Sequence, residues 1–373
     1  MIDKTEYNNA IRVLVTGVGG GGNGEQIIKT LRLAGNEYYI IGTDISPFGS
    51  GLYMADEGYT IPSANDPDYI HALLRICTDL GIQAVIPGSE PELMIISAKR
   101  NMFHEKGILV LINTSEVISL CMDKWRTYGV MRDKGFIVPE SRLIRTIDEL
   151  DDIKHDMFPL VVKPSVGGGG SRHAYIVQDI DELRFFCTYI IKDGFEPIVQ
   201  EYIGKPDSEF TVGVLSSLDG EFINSIAVKR DLSIGMSVKL KVKNRTDKTD
   251  LSPSLIISSG YSQGYIDRFP EICGVCEDIA RSLDSRGPVN IQCRYVDGQV
   301  FIFEINPRFS GTSSLRAMAG FNEPDMLIKH HLFGDPVKPR AAYRSGNIMR
   351  GLSEIFIPVD AGKGPYGATT DIS

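Results

Sequence analysis

The run Val300-Phe-Ile-Phe-Glu-Ile-Asn-Pro-Arg308, with Val289-Asn-Ile-Gln-Cys293 shortly before it, decides how this chain is read. Residues two apart on a strand share a face, so Glu304 and Asn306 project together while Phe303 and Ile305 point to the other side. Asp297-Gly298 between the two runs is a hairpin signal. Oxygen donors in a row suit Mg2+, which keeps waters and substrate phosphates in its shell. Gln292 joins Glu304 only if the connection holds an odd number of residues, such as a bulged Asp297-Gly298-Gln299. A two-residue turn puts it on the opposite face. The plain alternative is an edge hairpin with a wet polar face. Arg308 at the strand end weakens that alternative, because it adds a guanidinium beside the proposed metal.

Working upstream, Leu160-Val-Val-Lys-Pro164 reads as a strand ending on a base, followed by Ser165-Val-Gly-Gly-Gly-Gly-Ser171. Successive glycines let backbone N–H groups approach a polyphosphate, and Lys163 supplies a point charge. No Gly-Lys-Ser/Thr opens a helix here, so this is not a Walker loop. A strand, 174–177, follows instead, which makes the loop a flap between strands or an ordinary flexible hairpin. Consecutive glycines carry maximal backbone entropy, so the flap is expected to move without nucleotide and close over bound phosphates.

The first third alternates strands and helices: strands at 11–16, 39–43, 84–87 and 108–112, helices at 25–34, 69–80 and 90–105. That order predicts a parallel sheet covered on both faces, ending near Asn113. Gly17-Val-Gly-Gly-Gly-Gly22 satisfies GxGxxG, and Asp44 closes the second strand at the spacing of a ribose-binding acid. Taken alone, this suggests NAD and an oxidoreductase, although nothing downstream looks like hydride chemistry. The same loop also serves simply to turn the chain. Beyond residue 113, helices at 123–134, 181–192 and 273–283 stand apart from the strands at 198–243 and 289–306, an α+β pattern. The glycine-bearing tail after Pro358 reads as loose surface chain.

The chain has 373 residues, enough for two or three domains, and 42% of them are apolar. Lys+Arg 39 against Asp+Glu 48 gives a net charge of -9, so no global field draws in nucleic acid. No apolar run reaches the ~18 residues of a membrane span, and the N-terminus lacks a signal-peptide pattern. Six cysteines are too few for a disulfide scaffold, which points to a reducing cytoplasm. Cys273-Gly-Val-Cys276 falls inside an amphipathic helix and reads as packing rather than redox or zinc. His330-His331 and the lone Trp125 read as a helical pair and a packed ring.

Taken in order, several segments resemble the ATP-grasp superfamily, especially its carbamoyl-phosphate-synthetase-like branch. They are Asp123-Lys124, Val162-Lys163-Pro164, the loop 167–171, Gln200-Glu-Tyr-Ile203, Ser208-Glu-Phe-Thr-Val212, Asn290-Ile-Gln292 and Phe303-Glu-Ile-Asn-Pro-Arg308. Each motif alone is weak; the ordered set, over roughly residues 11–351, is specific. The resemblance implies an α/β pre-ATP-grasp domain at 1–113, explaining GxGxxG without NAD. It also implies an α+β ATP-grasp domain at 114–351 with a mobile lid subdomain near 125–200, and a tail at 352–373.

It further implies ATP with Mg2+ or Mn2+. Lys124, Lys163, Gly168, Gly169 and Ser171 would meet the phosphates, while Glu201, Tyr202 and Ile203 would flank adenine. Glu209 would accept the ribose hydroxyls, and Gln292, Glu304 and Asn306 would hold metal. Arg308, with Lys163, would stabilise the transferred phosphoryl group. Lys229, Arg230 and Ser237 fall where substrate contacts often sit. The implied activity joins a small carboxylate to an amine through an acyl phosphate, giving ADP and phosphate, with a homodimer as candidate assembly. A true carbamoyl phosphate synthetase carries two copies of this unit; this chain has one and no glutaminase. Carboxyphosphate or carbamoyl phosphate formation is therefore the alternative.

Overall fold

The computed structural model describes residues 10–167, 173–233 and 235–355. Strands β1 (Ile11–Thr16), β2 (Tyr38–Asp44), β3 (Glu57–Thr60), β4 (Ala84–Ile86) and β5 (Leu109–Val110) form a parallel sheet in the order β3-β2-β1-β4-β5. Both faces are apolar, as a strand covered by helices requires. Leu14, Ile41 and Val85 pack towards α2 (Tyr69–Asp79) and α3 (Glu90–Ala98). Val13, Val15 and Ile40 pack towards α1 (Asn23–Arg32). The expected helix 90–105 is broken at Lys99, with α4 (Arg100–His104) following.

Helices α5 (Ser115–Cys121) and α6 (Lys124–Asp133) carry the chain to a four-stranded sheet. Its strands are β6 (Ser141–Leu143), β7 (Leu160–Pro164), β8 (Tyr175–Val177) and β9 (Pro197–Glu201), ordered β6-β9-β7-β8. Leu160, Val162, Val177 and Val199 bury one face under α7 (Ile180–Lys192), leaving Val161 and Lys163 on the other. Since β7 pairs antiparallel with β8, the glycine segment joins two neighbouring strands. Gly168, Gly169 and Ser171 lie outside the described residues, as does the tail from 356 onward.

The central sheet is antiparallel, built from β10 (Glu209–Ser216), β11 (Phe222–Arg230), β14 (Gly264–Asp267), β15 (Pro288–Val296), β16 (Gln299–Asn306) and β17 (Gly346–Ile348). A separate hairpin of β12 (Val238–Lys243) and β13 (Ser254–Ser258) leans beside it. One face of the central sheet, with Val212, Ile291 and Ile302, packs on α8 (Pro270–Ser282). Cys273, Cys276 and Cys293 are buried in that core, so the CxxC spacing is packing. The opposite face divides its work. Leu215, Ile226 and Val228 share a core with the first sheet, while its other end carries the polar groups described next. Two further helices, α9 (Ser313–Met318) and α10 (Glu323–Phe333), follow β16.

Candidate active site

The acidic hairpin has the two-residue turn, yet Gln292 stands directly opposite Glu304. Val296 pairs with Gln299 across Asp297-Gly298, both central residues at positive φ (48° and 78°), the turn whose twist suits a hairpin. A bulge restores the face. Cys293 pairs with Ile302 and Gln292 with Glu304, so Phe303 is the extra residue. The expectation that only an odd-length connection would align them is corrected: the odd residue sits inside the strand. The bulge also turns Phe303 towards the cavity instead of away with Ile305, which stays in the core.

The bulged carbonyl is put to use. Phe303 O accepts from the Tyr128 hydroxyl (2.6 Å) and from Lys163 Nζ (3.2 Å). Lys163 reaches across from β7, so one backbone oxygen ties the two sheets together. Its ammonium keeps an opening to the cavity, but protein crowds it on every other side. That desolvation pushes its pKa down to about 8, against the opposing pull of Glu304. Lys124 stands on the same wall, where its Nζ donates to Gly167 O (2.9 Å). Its position is set by Asp123, which caps α6 through the Arg126 N–H and accepts from Ser165 Oγ (2.9 Å).

Between these walls lies a cavity of about 100 Å³ lined by Lys124, Lys163, Glu201, Tyr202, Ile203, Glu209, Gln292 and Glu304. Eight of the expected site residues therefore meet at one place. Burial raises the pKa of Glu201. Tyr202 packs its ring under the Arg294 guanidinium (4.6 Å) and exchanges bonds with the Ile256 backbone. Glu209 is 2% exposed and clamped between Arg230 (3.2 Å) and Arg294 (3.2 Å). Beside the cavity, its Oε1 is ion-paired with Arg230 Nη1 but accepts no hydrogen bond of good geometry.

Asn306 and Arg308 stand just outside that lining. Asn306 Oδ1 accepts from Arg308 Nη2 (3.3 Å), and its Nδ2 is buried without a partner. Arg308 also approaches Glu90 of α3 at 3.5 Å, a contact to the first sheet's domain. Asn290 is consumed structurally, accepting from Thr211 (2.9 Å) and from the buried Arg316 (2.7 Å). The remaining oxygen donors, Glu304, Gln292 and Asn306, are of the hard type a divalent cation bound to phosphates takes.

The weaker substrate-contact expectation fails for Lys229. It pairs with Phe210, so it shares the face opposite Glu209, whereas Arg230 next to it turns inward. Ser237 is buried with an unbonded hydroxyl and does not line this cavity. Arg294 and Tyr128 were not anticipated. Arg294 could have been found, since it lies two residues from Gln292 on the same face. Tyr128 could not, because only the bulge brings Phe303 O to it.

The N-terminal glycine loop offers nothing to a dinucleotide ribose. Asp44 Oδ2 accepts from Gly19 N (2.6 Å) and Oδ1 from Ser46 N (3.0 Å), so the acid is spent on the loop itself. Gly24 is required by close packing: a Cβ there would lie 2.4 Å from Gly17 O. Asp219, His330 and His331 do cluster near Leu218. His331 Nε2 accepts the Leu218 N–H (3.0 Å), which leaves the proton on Nδ1 facing Asp219 and no lone pair for a metal.

Residues 13–111 match the family model of the PylC-like N-terminal domain, and residues 196–351 match that of ATP-grasp in the biosynthetic pathway with Ter operon. The carbamoyl phosphate synthase large chain of Clostridium beijerinckii is 23% identical over 332 residues, 83% of this chain and 28% of that one. An uncharacterized protein of Methanocaldococcus jannaschii is 23% identical over 235 residues, 63% of this chain and 52% of that protein. The chain thus spans between about a quarter and a half of these relatives' length. In fold it is similar to the ADP complex of N5-carboxyaminoimidazole ribonucleotide synthetase, with TM-score 0.62, 16% identity, and 90% of this chain and 80% of that one covered. It is likewise similar to the biotin carboxylase domain of the Hydrogenobacter thermophilus 2-oxoglutarate carboxylase, solved with MgADP and bicarbonate, with TM-score 0.60, 17% identity and coverage of 90% and 72%. An L-amino acid ligase from Bacillus licheniformis matches with TM-score 0.60, 15% identity and coverage of 86% and 74%. No described helix is long and apolar enough to cross a membrane.

Proposed function

We propose, from the premise that this chain belongs to the ATP-grasp superfamily in its carbamoyl-phosphate-synthetase-like branch, that it is a Mg-ATP-dependent ligase joining a carboxylate to an amine. The observation that carries this reading is the facing of two ammonium groups, Lys124 and Lys163, by the oxygen donors Gln292 and Glu304 across one cavity. Phosphoryl transfer asks little covalent chemistry of a protein; it needs positioning and charge neutralisation. No nucleophile with an adjacent base is required, because a carboxylate already attacks as an anion.

In this reading Lys124 and Lys163 neutralise the phosphates, and the backbone at Tyr202 and Ile203 borders the base. Oε1 of Glu209, ion-paired with Arg230 but with no hydrogen bond, takes a sugar hydroxyl. Glu304, Gln292 and Asn306 would hold Mg2+, which supplies charge neutralisation at the transferred group. Arg308, tethered to Glu90, offsets negative charge developing there. The substrate carboxylate oxygen bonds to the γ-phosphorus as the β–γ bridging bond breaks and ADP leaves. The amine nitrogen then bonds to the carbonyl carbon, inorganic phosphate leaves, and the amine proton passes to solvent. Residues 1–113 and 114–351 act as the two domains, with roughly 125–200 as lid. The cavity of about 100 Å³ is well under the ~300–1,000 Å³ of ligand pockets, so the lid must part from the central sheet to admit nucleotide.

A second reading, carboxyphosphate formation from bicarbonate, is favoured by the carbamoyl phosphate synthase relatives. One experiment separates them. With hydroxylamine present, a ligase yields an acyl hydroxamate with ADP and phosphate when the right carboxylate is supplied. ATP cleavage stimulated by bicarbonate alone supports the second reading. Release of AMP and pyrophosphate would overturn both.

A further inference from the structure

A second cavity, about 620 Å³, opens between α1 with its glycine loop and the segment that follows β17. Its apolar wall is made by Leu33, Met54, Met236, Met318, Met349 and Leu352. Four of these six are methionines, unbranched side chains that adapt to irregular apolar shapes.

The charged groups on the wall are mostly spoken for. Glu25 is 7% exposed and accepts from Lys29 (2.7 Å) and Ser50 (2.9 Å), while Arg32 is held by Asp56 (2.8 Å). Arg350 differs. Its Nη2 donates to Gly311 O (2.6 Å), its Nε is buried without a partner, and among the described residues no carboxylate lies within ion-pair distance of it. The wall thus joins an apolar patch to a guanidinium that has no direct ion pair among the described residues and feels Glu25 only at longer range.

This cavity adjoins the first. Gly311 follows Arg308 by three residues, and Tyr261, on the second cavity's wall, accepts from Arg230 Nη2 through its carbonyl (3.1 Å). Arg230 also donates to Ser258, which lines the first cavity (3.0 Å). One buried arginine thus bonds to residues of both linings.

We infer that the second cavity holds the carboxylate substrate, and that this substrate is amphiphilic, its carboxylate at Arg350 and an apolar body of several carbons against the methionine wall. The inference rests on the ligase reading and names its substrate class. A bicarbonate ion or a small polar acid would leave that wall unfilled.

The test is calorimetry of straight-chain carboxylates from acetate to octanoate on the full chain, without nucleotide, so that no turnover is needed. Affinity should rise about three- to fourfold per added methylene until the wall is covered. Arg350→Gln should weaken every member at least tenfold, with Arg350→Lys restoring part of the loss. Met318→Ser, which removes apolar wall without adding charge, should reduce the chain-length gain. ATP affinity, measured separately, should not change in these variants. Affinity independent of chain length, or unaltered by Arg350→Gln in a protein of normal melting temperature, would overturn the inference. The ligase reading fails separately: there, a tightly bound carboxylate gives no hydroxamate. Hydroxamate formed from short polar acids, indifferent to Arg350→Gln, would sink this inference and leave the ligase standing.

Discussion

Removing the Glu209 side chain should do two separable things. The carboxylate is 2% exposed and sits between two guanidinium groups, Arg230 (4% exposed) and Arg294 (7% exposed), each at 3.2 Å. Glu209→Ala leaves both cations buried without their counter-ion. Breaking a buried pair costs about 3–5 kcal/mol, because a desolvated charge remains. Both arginines keep dipolar partners: Arg230 on Ser258 and Ser259, Arg294 on the carbonyls of Ile203 and Ile256. The lower end, about 3 kcal/mol, is therefore expected. If the region 114–351 unfolds as one cooperative unit of roughly 240 residues, that lowers its Tm by about 6–12 °C.

The second effect is on the nucleotide. If Oε1 accepts a sugar hydroxyl, a hydrogen bond to a charged group contributes about 1.5–3 kcal/mol, roughly a 10- to 150-fold change in ATP affinity. Thermal unfolding and calorimetry read the two effects apart, with Glu209→Gln as the variant of nearly unchanged shape. ATP and 2′,3′-dideoxy-ATP are compared on both proteins. The wild type should discriminate between them more strongly than Glu209→Gln, whose neutral amide oxygen makes a weaker bond to the hydroxyl. A Glu209→Ala protein melting within about 2 °C of wild type refutes the counter-ion argument. Equal discrimination by both proteins refutes the sugar contact.

Lys163, with a pKa near 8, should lose its charge as pH rises through that value, so ATP binding should weaken above pH 8. At pH 8 bound phosphate should draw about half a proton onto it, which calorimetry in buffers of different ionisation enthalpy measures; Lys163→Arg should abolish that uptake. Glu304→Ala should keep Tm within a few degrees, since its carboxylate faces the cavity rather than the core, and abolish turnover with every substrate. Retained hydroxamate formation would remove Glu304 from the metal set. Tyr128→Phe deletes the 2.6 Å bond to the bulged carbonyl and should cost about 0.5–1.5 kcal/mol in urea unfolding, leaving Lys163 as the remaining donor. Gly213→Ala should be far more damaging, because its Cβ would lie 2.2 Å from Arg316 Nη1 and push that buried guanidinium off Glu323; a soluble variant with wild-type melting would refute the packing argument.

Local pattern was enough for a good deal of this molecule. Strand–helix alternation announced the parallel sheet of β1 to β5, because period and turn chemistry are written in neighbouring residues. Period two put Glu304 and Asn306 on one face, and the ordered motifs named eight of the residues that line the first cavity. Other features depended on chain segments far apart. Whether Gln292 joins Glu304 turned on a bulge at Phe303, whose carbonyl is held by Tyr128 and Lys163, 175 and 140 residues away. Asp44 looked available for a ribose until the fold folded the glycine loop back onto it. Lys229 and Arg230 are equivalent as sequence, and only pairing with Phe210 sends one outward and the other onto Glu209. The second cavity had no sequence signature at all, since its four methionines, Met54, Met236, Met318 and Met349, come from four separate stretches of the chain. Spacing along the chain determines which side of an element a residue occupies; which groups share one desolvated space, and so which charges are paired or left for a ligand, is decided by packing between elements.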